Sequence, residues 1–318
     1  MYATSCCNSR RARTGLVASF CRIVFGVLLI GVLVSVAFAT ENGASVYPSG
    51  VETVMPGMTP PPGASLFAEF DNFYQANKLV DSKGNSEVPG FHLGVSAFAV
   101  KFVHNWGVHF LGGTLVSYGA LPFLYETVTV PGVQGAKTGF GNPDVQPVAV
   151  AYAHGDWHWW YGMDLFTPGF QYTKNDLVNI GQHNWAYAPS SAFTYFPKHT
   201  TEISSKVQYI FNGKDNQTQY QSGHELIWEY DAMQNITKKI AVGGNGFFDK
   251  QTSDDMQNGM AVPGGNRARD FAFGPEIRWH VGKLALIGKY QRDFLAQNRP
   301  VGNSFWVQLG LPIGHPHE

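Results

Sequence analysis

Residues 271–281, FAFGPEIRWHV, alternate apolar with polar side chains. Phe271, Phe273, Pro275, Ile277, Trp279 and Val281 fall on one side of an extended chain, and Glu276, Arg278 and His280 on the other. A period of two is that of a β-strand whose faces meet unlike surroundings. The pattern recurs in twelve segments: 64–76, 91–103, 107–118, 145–154, 156–167, 184–196, 200–211, 220–232, 235–248, 267–280, 283–295 and 303–312. Their connections alternate in length. HNWG (104–107), HGD (154–156), PKHT (197–200), MQN (233–235) and VG (281–282) are tight, whereas 77–90, 119–144, 168–183, 212–219, 249–266 and 296–302 are longer. A soluble sandwich has no reason for that alternation. An outer-membrane barrel does, with short periplasmic turns and longer extracellular loops. Strands facing lipid must pair every backbone group, which only a closed barrel achieves. The expected fold is therefore all-β, a transmembrane antiparallel β-barrel of about 12 strands over residues 64–313. The even count brings both ends of the barrel to the periplasm. The alternation changes phase near Ser96, which suggests a bulge there.

Aromatic residues support two solvents. In DWHWWYGMDLF (156–166), Trp157, Trp159, Tyr161, Met163 and Leu165 share one face, while His158, Trp160, Gly162 and Asp164 share the other. Tryptophan favours the membrane–water interface. Trp106, Trp157, Trp159 and Trp279 fall near expected short turns and Trp185 near the opposite end of its strand, as two girdles would require.

The first 63 residues do not alternate. Arg10, Arg11, Arg13 and Arg22 accompany the apolar run 23–39, which ends in Ala37-Phe38-Ala39. A positive start, an apolar stretch and a small-x-small end describe a secretory signal peptide over 1–39. A membrane anchor needs about 20 apolar residues, and this run has 17. Cleavage after Ala39 removes Cys6, Cys7 and Cys21, all three cysteines, so no disulfide framework is expected. It also removes four of the 22 Lys+Arg, leaving 18 against 23 acids. A net charge of −5 offers no basic patch for nucleic acid. Residues 40–63 are rich in Pro and Gly and read either as an irregular periplasmic leader or as a plug in the lumen. Residues 314–318 form a tail, in which HPHE (315–318) is weak as a metal site.

By alternation the lumen receives Glu69, Asp71, Lys101, His158, Asp164, Glu202, Lys206, Glu225, Glu229, Lys239, Glu276, Arg278, His280, Lys289 and Asp293. Phe67, Trp160 and Trp306 are the lumen aromatics. Mixed charges fit a wall braced by ion pairs, and they also fit a constriction that filters by charge. Twelve strands lie between barrels filled by side chains and barrels with an aqueous channel. Residues 119–144 are the loop best suited to gather apolar compounds or to fold inward. Catalysis has little support. An outer-membrane phospholipase would use Ser and His, but there is no G-x-S-x-G and no H-E-x-x-H. GGNG (243–246) lies within a strand pattern and is no nucleotide loop. No metal or cofactor is expected.

Three stretches carry a resemblance: GVETVMPGMTPPPG (50–63), GFGNPDVQPVAVAYAHGDWHWWYGMDLFTPGF (139–170) and GPEIRWHVGKLALIGKYQRDFLAQNRPVGNSFWVQLGLPI (274–313). With these the chain resembles the outer-membrane "meta-pathway phenol degradation" (SphA-like) transporter family of porin-like barrels. The resemblance implies a channel for passive uptake of small hydrophobic or aromatic compounds linked to their catabolism. A closed structural or ligand-binding barrel is the alternative. The implied partners are outer-membrane lipid, the permeant and the outer-membrane assembly machinery, and a homo-oligomer is compatible with the fold. Many such barrels close on a terminal Phe or Trp, whereas here the last strand runs on into PIGHPHE.

Overall fold

The computed structural model describes residues 45–314. The signal-peptide stretch 1–39, residues 40–44 and the HPHE tail lie outside the described residues. Twelve strands close into one antiparallel ring. It runs through β1 (Ser65–Val80), β2 (His92–Phe110) and β3 (Gly113–Val130), then, past the side strand β4 (Val133–Phe140), to β5 (Asp144–His154). β6 (Trp157–Phe166), β7 (Ala186–Tyr195) and β8 (Thr201–Asn212) follow. After the short β9 (Tyr220–Gln221) come β10 (Glu225–Asn235) and β11 (Ile240–Gln251). After β12 (Met256–Gln257) and β13 (Met260–Ala261) come β14 (Arg269–Val281), β15 (Leu284–Gln297) and β16 (Arg299–Ile313). β1 pairs with β2 on one side and with β16 on the other, from Ser65↔Ile313 to Val80↔Arg299, so no edge is left in the ring.

The two faces of each strand explain the closure. On β14, Phe273, Ile277, Trp279 and Val281 are exposed on the outside, while Asp270, Ala272, Glu276 and Arg278 are buried within. On β8, Ile203 and Val207 face outward, and Glu202, Ser204, Lys206 and Gln208 are buried. On these strands the apolar outer row needs lipid and the polar inner row needs partners, which a closed ring supplies together.

All twelve expected segments are strands of the ring, but several boundaries differ. HNWG is not a turn. β2 continues to Phe110, the β2–β3 register shifts between Asn105 and His109, and the chain reverses at Leu111-Gly112. Both turn residues have positive φ (49° and 82°), the geometry that matches the twist of a tight hairpin. The bulge therefore lies at 105–109, and near Ser96 the β1–β2 ladder is unbroken. MQN belongs to β10, whose turn follows over 236–239. Residues 119–144 do not form an inward loop. They prolong β3 into a hairpin with β4, paired from Phe123↔Phe140 to Val130↔Val133. The expected long connection 296–302 is also absent, because Asn298 alone separates β15 from β16. Asn tolerates its positive φ of 49° there. The long–short alternation thus fails at its last step.

The short turns and Ser65 lie at one end of the ring (the turn end). At the other (the loop end), β9, β12 and β13 form a small separate sheet.

Candidate functional site

Residues 45–63 run inside the ring, from the loop-end half down to the turn end. Val46, Tyr47 and Val51 pack with Phe166, Ile210, Ile227 and Trp306 in one buried cluster. The Tyr47 hydroxyl donates to Glu229 Oε2 (2.7 Å) and the Ser49 hydroxyl to Asp249 Oδ2 (2.8 Å). Lys289 Nζ donates to the carbonyls of Gly50 (2.6 Å) and Val51 (2.8 Å) and to Thr53 Oγ1 (3.0 Å). Lower down, Met55 N donates to Glu202 Oε1 (2.9 Å), Trp160 Nε1 to the Pro56 carbonyl (2.7 Å) and Gly57 N to Thr194 Oγ1 (3.1 Å). Asn105 Nδ2 reaches the Pro60 carbonyl (2.9 Å), and Gly63 N returns to the Asn105 carbonyl (2.9 Å). A proline-rich segment with no regular structure leaves carbonyls and amides unpaired. The inner wall supplies their partners, as burial demands.

Glu52 sits at the centre of this segment. Its carboxylate pairs with Lys101 of β2 and with Lys206 of β8 (2.6 Å). Burial alone would raise its pKa, but the two ammonium groups outweigh that and hold the carboxyl well below the usual range. Tyr47 moves the other way: burial and the nearby Glu229 and Glu52 carboxylates push its phenol well above the ordinary value.

Glycine permits the close approach. A Cβ at Gly57 would stand 2.4 Å from the Phe193 carbonyl carbon and the Thr194 nitrogen, so only glycine fits there.

The family described as "Putative MetA-pathway of phenol degradation" matches residues 76–309. The chain belongs to that family. The match begins within β1, so residues 45–63 lie outside it. Among solved structures, this phenol-degradation-family chain is similar to an outer membrane channel from Pseudomonas putida F1, at 14% identity and TM-score 0.71. That likeness covers 85% of this chain and 100% of the channel. The β domain of the Bordetella autotransporter BrkA follows at 12% identity and TM-score 0.47, covering 79% and 100%. No curated protein matches the chain.

In this phenol-degradation-family barrel, Glu202, Lys206, Glu225, Glu229, Glu276, Arg278, Lys289 and Asp164 are all buried on the inner face, as alternation implies. His158 and His280 share that face and are half-buried. They do not form one ring. Glu202 pairs with Arg278 and meets Met55, whereas Glu229 and Lys289 hold residues 47–53. Glu225 bonds Asn212 (2.9 Å) near the loop end. Asp164 of β6 accepts from Tyr118 of β3 (2.8 Å) and Gln146 of β5 (2.6 Å). Lys101 and Asp293 also face inward, the latter accepting from Tyr74 (2.8 Å). Trp160 and Trp306 are buried.

Four assignments are corrected. Glu69 and Asp71 face outward, opposite Val100 and Phe98 of β2, and Phe67 faces outward opposite Phe102. The two acids of β1 sit on its outer side, and its inner row runs Leu66, Ala68, Phe70, Asn72 and Tyr74. Lys239 lies in the exposed turn after β10. Trp106, Trp157, Trp185 and Trp279 are exposed, and Trp159 is half-buried, stacked on Tyr152.

Sequence reasoning missed Glu52, Tyr47, Ser49, Thr53 and Gly57. The available signal was an acid and a tyrosine in a segment otherwise built of Pro, Gly, Val, Met, Ser and Thr.

Proposed function

We propose that the protein is an outer-membrane channel for passive entry of small hydrophobic or aromatic compounds, with residues 45–63 as an internal plug that narrows the lumen. The family and the channel from P. putida support this reading. The observation that carries it is the placement of Glu52 between Lys101 and Lys206, which stretches the segment across the interior and leaves an apolar space beside it. In this reading residues 1–39 are removed on export, and the short turns face the periplasm. The outer tryptophans sit at the lipid interface, and the assembly machinery inserts the barrel. The interior charges mainly seat the plug, and Arg278 and Glu276 bias the ions that pass it.

The test is flux. Residues 40–318 are refolded into liposomes and folding is checked by the gel shift between boiled and unboiled samples. Entry of benzoate, a phenol, a monosaccharide and a fatty acid is then followed. Faster entry of the aromatic compounds supports the proposal, and equal entry of all four describes a general pore. A closed ligand-binding barrel is the second reading, favoured by the hydrogen bonds that hold residues 47–63 to strands around the ring. No entry of any solute would select it.

A further inference from the structure

Between residues 51–61 and the wall opposite the polar strands lies a cavity of about 380 Å³. Its wall is made by Leu66 and Phe70 of β1, Val103 of β2, Val116 of β3, Trp160 of β6 and Ile287 of β15. That volume is within the range of sites for small organic molecules. Apart from the Thr59 hydroxyl, the polar side chains deep within it are already engaged. Lys101 pairs with Glu52, the Tyr118 hydroxyl lies 2.8 Å from Asp164 and 3.0 Å from Asp144, and Gln146 donates to Asp164. Trp160 and Gln308 donate to the carbonyls of Pro56 and Val51. A polar guest deep in the cavity would take a partner from one of these buried groups, at a cost that selects an apolar body.

The mouth differs. His280 at the end of β14 and the exposed Lys283 in the β14–β15 turn stand there, and neither side chain has a hydrogen bond or ion pair to a described residue. Among the residues that line the cavity the one acid is Glu52, held by two lysines, against Lys101 and Lys283. The lining is therefore apolar inside and cationic at its turn-end opening.

We propose that this cavity binds a small organic monoanion: an apolar body the size of one aromatic ring, carrying one carboxylate. The ring lies against Leu66, Val103, Val116 and Trp160, which form one cluster, and the carboxylate accepts from Lys283 and His280 at the mouth. The proposal rests on the channel reading and names the class of compound the channel holds.

The test is equilibrium dialysis of the refolded 40–318 chain in detergent, with radiolabelled benzoate, with benzyl alcohol as the neutral ring and with acetate as the anion without a ring. Benzoate binds about fivefold tighter than benzyl alcohol, the factor expected for one partly exposed ion pair, and acetate does not bind. Lys283→Glu, in an exposed turn, removes that preference. Ala68→Trp fills the cavity and abolishes binding of both rings. Equal or tighter binding of benzyl alcohol overturns the proposal, as does a benzoate preference that survives Lys283→Glu. Binding untouched in a correctly folded Ala68→Trp protein overturns it too. Because dialysis needs no transport, the two readings fail separately. Binding as described with no liposome flux removes the channel alone, and flux without benzoate preference removes this inference alone.

Discussion

Lys101 and Lys206 stand five strands apart around a ring of twelve, yet both pair with the single carboxylate of Glu52. The Lys206 side chain is fully enclosed. Breaking a buried pair by removing one partner costs about 3–5 kcal/mol when the survivor stays buried. Here the surviving Lys206 would regain water if the segment carrying Glu52 left the wall.

Glu52→Gln is therefore expected to loosen the segment while leaving the barrel itself intact. In planar bilayers the variant shows a higher mean conductance than wild type, with the gel shift on boiling unchanged. A conductance equal to that of wild type would remove Glu52 from the role of holding the constriction.

Acid should act through the same group. When seated, the Glu52 carboxyl lies well below its usual range, against the burial that opposes it, because Lys101 and Lys206 favour its charged form. Displaced into water it returns to about 4.3. A group whose pKa is lower when seated contributes fully above its free value and loses that contribution as the pH falls toward the seated value. Wild-type conductance at pH 3 is thus expected to exceed that at pH 7, and Glu52→Gln lacks most of the rise. An equal rise in the variant would transfer the effect to the carboxylates of the wall.

Gly57 tests the fit of the segment independently of charge. A side chain there has no room beside Phe193 and Thr194, so Gly57→Val pushes the lower half of the segment from the wall. Residues 40–318 contain no cysteine, and a single Met58→Cys therefore reports access. Labelling by a membrane-impermeant maleimide is expected to be several times faster in the Gly57→Val background. Equal rates would mean that the segment accommodates the added methyls in place.

Arg278 is buried beside Glu202, with Glu276 on the same inner row. Arg278→Ala leaves two acids with fewer cations near the segment. The reversal potential in a salt gradient is expected to shift toward cation selectivity. Glu276→Ala shifts it the opposite way. Potentials matching wild type in both variants would make these residues braces of the wall and no more.

Much of this was legible before the fold. Alternation located all twelve ring strands and the facing of Glu202, Lys206, Glu276 and Arg278, because a period of two reports which of two solvents a side chain meets. It failed on β1, where Glu69 and Asp71 share a face with Phe67 and Phe73, and charge misassigned the row. It also failed where pairing decides the outcome: local composition does not say that β3 continues into a hairpin with β4, or that Asn298 suffices between β15 and β16. The seating of Glu52 was hidden for a different reason. Both its lysines are remote in sequence, and an irregular segment has no period to read.

The outward row of β1 yields the sharpest check on facing. Ile277 is exposed on the outside of β14 among apolar neighbours, and Ile277→Arg places a charge against lipid. The cost expected near the midplane is about 2–4 kcal/mol, and less for an acid. Asp71 already stands on the outer face, opposite Phe98 and Val307. Asp71→Leu is therefore expected to raise the yield of heat-modifiable barrel in liposomes, while Ile277→Arg lowers it. Refolding both variants beside Glu276→Leu, an inner-row change, separates lipid facing from general hydrophobicity. The lumen change should give no gain, since it adds nothing for lipid to contact. A gain from Glu276→Leu equal to that from Asp71→Leu would contradict the outward placement of Asp71.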